Sequence, residues 1–228
     1  MSNGEMMEAE RRERSYRFFA GLCLAPPSDS IIDMIRDGGI LAAFKGGDEA
    51  GLAEMSGFVI GAKGIPNLKD ELAAEHTALF VLPSGVLPHE ALYLDIHKRL
   101  GGRVTAEVQR FYEKAGANIL DRCGEVPDHM GMELDFMGFL CAMEKQLRAR
   151  DDVPTLNKCI TLQKAFLEEH LLKWAHRCCD ELIKHSTYGF YKAVARFASE
   201  FLRSEEEYIK ESHARTIREG ENICETAV

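Results

Sequence analysis

The chain has 228 residues, 46% hydrophobic and 29% charged, with a formal net charge of −9. That length and apolar content are enough to bury a core, which excludes a disordered chain. The acidic balance excludes a general nucleic-acid binder, which needs Lys and Arg against phosphates; an acidic surface instead attracts basic partners over about 10 Å.

The first residues, 1–14, are charged and lack the apolar core of a secretory signal. Tyr16, Phe19, Leu22 and Cys23 then recur at helical spacing until Pro26-Pro27 stops them. Asp37-Gly38-Gly39 and Gly46-Gly47-Asp48 punctuate an N-terminal third that reads as poorly packed. Leu82 to Pro88 carries two prolines and a glycine and reads as a loop between helices. Val104, Val108, Phe111, Tyr112 and Ala115 form the next stripe, with Gly116 as its stop. Phe136, Leu140, Met143 and Leu147 continue a segment that begins at Pro127. A polar connection, Ala149 to Pro154, leads into a long helix from about Thr155, lined by Ile160, Leu167, Leu171 and Trp174. Phe190, Val194, Phe197 and Phe201 line another. From Ser204 the chain is rich in Glu, Lys and Arg and reads as a solvated helix fraying toward Val228, with Tyr208 and Ile209 able to pack.

No stretch sustains a period of two, so the expected fold is all-α: a single globular multi-helix domain over residues 1–228, with its core at about 10–205 and a charged tail at 206–228. No run approaches the roughly 18 apolar residues of a membrane span. The seven cysteines include no Cys-x-x-Cys and read as reduced thiols of a cytoplasmic protein. The near-even spacing of Cys123, Cys141, Cys159 and Cys178 reads as chance, because the flanking sequences differ.

The richest stretch runs from Glu125 through Pro127, Asp128 and His129 to Met137. A proline followed by Asp-His opens a helix, and an acid in the first turn gains roughly 0.3–1 kcal/mol from the helix dipole. Such a pair binds a ligand, a metal or a peptide, or simply starts the helix. His129 and Glu133 stand four apart at metal-ligand spacing, but no His-Glu-x-x-His or Glu-x-x-His completes a site. Cys178-Cys179 near His176 reads as packing rather than as a nucleophile with its base. Glycine-rich phosphate motifs are absent from the sequence. These eliminations lean toward a binding protein.

The same stretch resembles the TorD/DmsD/NarJ family of redox-enzyme maturation chaperones, whose Glu-x-Pro-Asp-His run leads into a helix with Leu-x-Phe-Met. Here it stands as Glu125, Pro127, Asp128, His129, Leu134, Phe136 and Met137. An earlier family motif is matched by His76-Thr77-Ala78-Leu79-Phe80, then Pro83, Pro88, Glu90, Ala91 and Tyr93. Gln163, Phe166, His170, Leu171 and Trp174, then Phe190, Tyr191, Phe201 and Leu202, follow the later helices. The departures are His76 for an aromatic, Ala78 for an arginine, Leu82 for a glycine and Ala91 for a serine.

The resemblance implies a cytoplasmic, all-helical, non-enzymatic chaperone; no cofactor is expected, and the oligomeric state is left open between monomer and dimer. Its partner would be the precursor of a molybdenum-cofactor oxidoreductase, bound through a twin-arginine signal peptide or another N-terminal segment. It also implies peptide-binding roles for Asp128, His129, Leu79, Phe80 and Tyr93. Two other readings stand beside it: a metal-dependent enzyme using His129 and Glu133, and an adaptor for a folded partner.

Overall fold

Helices follow the apolar stripes closely. The computed structural model describes residues 3–117 and 125–225, with side chains over 4–117 and 125–216. The helices are α1 Asn3–Leu24, α2 Asp29–Asp37, α3 Ile40–Ala43, α4 Glu49–Ala62, α5 Leu68–Phe80, α6 Glu90–Leu94 and α7 Arg103–Lys114. After these come α8 Met130–Arg150, α9 Val153–Phe166, α10 Leu172–His185 and α11 Gly189–Glu225. A π-helical turn, Leu167–Leu171, joins α9 to α10. Among the described residues there is no strand, only one antiparallel bridge between His89 and His129. The fold is all-α.

The central contact is α1 against α8. Two glycines on α8 permit the close approach. A Cβ on Gly131 would sit 2.5 Å from Leu24 Cγ, and one on Gly138 would sit 3.1 Å from Arg17 Cγ. Helix α11 closes the bundle over α4, α9 and α10. Trp174, Tyr16, Phe136, Phe166 and Phe190 are fully buried where these helices meet.

Two expectations need correction. The N-terminal third is well packed: Ile35, Ile40, Met55, Leu68 and Leu72 are all fully buried. The glycines there end or bend helices, as Gly38 does at φ 82° after α2. The charged tail is helical and packs Ile209 as expected, but it continues α11 and is not wholly solvated, since Glu205 and Ser212 are buried as well.

Buried charge explains why the tail docks. Arg12, wholly inside, donates from Nη1 to Glu144 Oε2 at 2.8 Å, from Nη2 to Gln163 Oε1 at 2.8 Å and from Nε to Glu205 Oε1 at 3.0 Å. Its guanidinium lies 4.3 Å from the Tyr208 ring centroid. One side chain therefore joins α1, α8, α9 and α11. Ala9, Arg12, Tyr16, Phe19 and Cys23 share helical spacing and are all buried, which places Arg12 on the inward face of α1.

Candidate functional site

The Asp-His stretch lies where the loop before α6 meets the start of α8. Glu90 N–H donates to Asp128 O and Met130 N–H to Pro88 O, both at 2.8 Å. Asp128 Oδ2 accepts from Ala91 N–H at 3.0 Å. Tyr112 OH donates to Pro127 O at 2.7 Å. Helix α6 is thereby fastened to the start of α8.

The helix starts later than the sequence suggests. His129 is its N-cap, and Nδ1 accepts the Gly131 N–H at 3.1 Å. Asp128 precedes the cap and serves α6 instead. Both side chains are buried, Asp128 completely and His129 to 3% exposure, so neither stands open to solvent at the helix start. A backbone bridge pairs His129 with His89. Burial lowers the His129 pKa to about 3, with His89 and His76 adding to the effect. The His89 and His129 rings meet edge to face at 5.0 Å.

Leu79 and Phe80, at the end of α5, are also buried. Leu79 O accepts from Val86 N–H at 2.8 Å, which closes the 82–88 loop against α5. Phe80 packs on His76 and Tyr191. Tyr93, on α6, is half-buried and differs from the other four in reaching an open surface. Its ring lies 5.2 Å from that of Trp174, and the Arg177 guanidinium lies 5.6 Å from its centroid.

Tyr93 forms one wall of a groove of about 700 Å³, together with Val86, Leu87, Leu92, Asp180 and Glu181. Arg177, Lys184 and Lys98 complete its rim. Residues 177, 180, 181 and 184 share one face of α10, a spacing visible in the sequence but not singled out there. Exposed Val81, Leu82, Ile96 and Leu100 on the flanking loops add apolar surface in the same part of the chain.

The metal pairing does not form. His129 Nδ1 is committed to the Gly131 N–H, and Glu133 Oε2 accepts from Trp174 Nε1 at 3.2 Å. Among the described residues, no group of three His, Cys, Asp or Glu side chains could hold a metal ion. Cys178 is fully buried, and burial pushes its thiol up to about 12, far from a thiolate nucleophile. His176 faces Ser199 instead, at 2.8 Å. Cys123 lies outside the described residues. No single helix among the described residues is long and apolar enough to cross a membrane.

The family model for the nitrate reductase delta subunit matches residues 42–180. Chaperone protein TorD of Aliivibrio salmonicida is 29% identical over 141 residues, 61% of this chain and 64% of that protein. Chaperone protein TorD of Vibrio cholerae is 26% identical over 149 residues, 63% of this chain and 66% of that protein. The chain thus spans less than two thirds of the length of either relative. The family match contains α6, α8, α9 and most of the groove, whereas α1 and α11 lie outside it.

Proposed function

The chain belongs to the nitrate reductase delta subunit family, and on that premise we propose that it is a cytoplasmic maturation chaperone for a molybdenum-cofactor oxidoreductase. It binds the twin-arginine signal peptide, or another N-terminal segment, of the enzyme precursor. It holds that segment while cofactor is loaded, before export or assembly, and it performs no catalysis of its own. The naming of its relatives as chaperones supports this reading.

The observation that carries the peptide-binding part is the groove beside Tyr93. Val86, Leu87, Leu92 and Tyr93 offer apolar walls, and Asp180 and Glu181 offer two carboxylates on the rim. An arginine fork pairs with a carboxylate through two parallel N–H bonds. The apolar part of a signal peptide lies along an apolar wall. The net charge of −9 favours encounter with a basic peptide.

In this reading Tyr93 touches the peptide. Asp128 and His129 fix α6, which carries Tyr93, while Leu79 and Phe80 support the loop beneath. Trp174 is the sole tryptophan and packs on Tyr93, so its fluorescence reports on the groove. Titration with a twin-arginine peptide should give a saturable change in that signal. No response to any signal peptide or precursor would remove the proposal.

A further inference from the structure

Beneath the groove lies a cluster of buried acids that the peptide-binding reading does not use. Glu133 is fully buried, and Oε1 has no hydrogen-bond partner, whereas Oε2 accepts from Trp174. Glu90, on α6, is 1% exposed and lies within hydrogen-bonding reach of Glu133. Its carboxylate accepts from His170 Nδ1–H at 2.9 and 3.1 Å. The π turn carries His170, and its bulge shifts the helix face by one residue.

The other titratable groups around Glu133 are Asp128 before α8, Tyr112 on α7 and Cys178 on α10. Among the described residues, Glu133 forms no ion pair with Lys or Arg. A lone carboxylate in such a place would carry an uncompensated buried charge beside a second acid.

We propose that Glu90 and Glu133 share one proton, so that a carboxylic acid donates to a carboxylate and ties α6 to α8. The Glu133 hydroxyl is the donor, and Glu90 accepts from it and from His170. This arrangement gives the otherwise orphaned oxygen its partner and satisfies each member of the chain from Trp174 to His170. The proton comes from solvent on folding, because the unfolded glutamic acid is ionised near neutral pH. The inference does not depend on what the groove binds.

Burial and the neighbouring Glu90 raise the Glu133 pKa well above its ordinary value. A folded-state pKa above the unfolded one stabilises below the unfolded value and loses that contribution as pH rises through the folded one. The tie therefore weakens on the alkaline side and not on the acid side.

Infrared difference spectroscopy of the wild type against Glu133→Gln, both folded at about pH 7, reads the proton directly. The expected result is a protonated-carboxyl C=O band present in the wild type and missing from the variant. Absence of that band in the wild type overturns the proposal. Should the variant fail to fold, carboxyl-carbon NMR on glutamate-labelled wild type decides instead. One glutamate that titrates well above the others sustains the proposal, and uniform ordinary titration overturns it.

Discussion

Asp128 Oδ2 accepts the Ala91 N–H at 3.0 Å, across 37 residues of sequence, and so fastens the first turn of α6 to the residue before the α8 cap. Its backbone oxygen takes the Glu90 N–H from the same turn. This pairing makes Asp128 a support of the groove wall.

Asp128→Ala should therefore destabilise the fold, because it leaves a buried N–H without its acceptor. The expected loss is about 1–3 kcal/mol in urea unfolding. Asp128→Asn keeps an acceptor oxygen and should lose less. Equal losses in the two variants would mean that charge, not the hydrogen bond to Ala91, is what matters.

His129 makes the protein sensitive to acid. Its folded pKa is about 3, below that of an unfolded histidine, so the unfolded state takes up a proton first as pH falls. The His129 contribution to stability is intact above about pH 6.5 and drops toward pH 3, at up to about 1.4 kcal/mol per pH unit. His76 and His89, also lowered by burial, act in the same direction. His129→Asn keeps a capping acceptor and removes one titration, so its profile of melting temperature against pH should be flatter between those limits. An unchanged acid slope would contradict the assignment.

Arg12 should be the most costly single charge to remove. Arg12→Met strands Glu205, whose carboxylate is 1% exposed, and takes one of two cationic partners from Glu144. Breaking one partner of a buried pair costs about 3–5 kcal/mol. Adding Glu205→Gln to Arg12→Met should recover part of that loss, which a double-mutant cycle in denaturant measures.

The all-α fold was legible because its helices carry apolar stripes with clear stops: Pro26-Pro27 after α1, Gly116 after α7 and the loop before α6. What stayed hidden depends on partners distant in sequence. Gly131 and Gly138 read locally as weak helix formers, and their value appears only where α1 approaches. Arg12 and Glu205 read as surface charges until four helices enclose them. Asp128 read as a first-turn acid because its acceptor role faces Ala91, which no local pattern reveals. Tyr93 came through the family resemblance, whereas the Asp180–Glu181 rim came only from the groove itself.

Charge reversal on that rim separates binding from folding. Asp180 is exposed and Glu181 half-exposed, with only surface pairing to Lys184 and His185. Asp180→Lys with Glu181→Lys should leave the melting temperature within a few degrees, since substitutions at such sites usually shift stability by no more than about 0.5 kcal/mol.

The most direct test is calorimetric titration of the wild type and of the Asp180→Lys/Glu181→Lys variant with a panel of twin-arginine signal peptides from molybdenum-cofactor oxidoreductases. The wild type should bind at least one peptide saturably, and the folded variant should bind it more weakly by about tenfold or more, roughly 1.4 kcal/mol. Binding of equal strength in both proteins would contradict the groove as the site, and no binding by the wild type to any peptide or precursor would contradict the chaperone role itself.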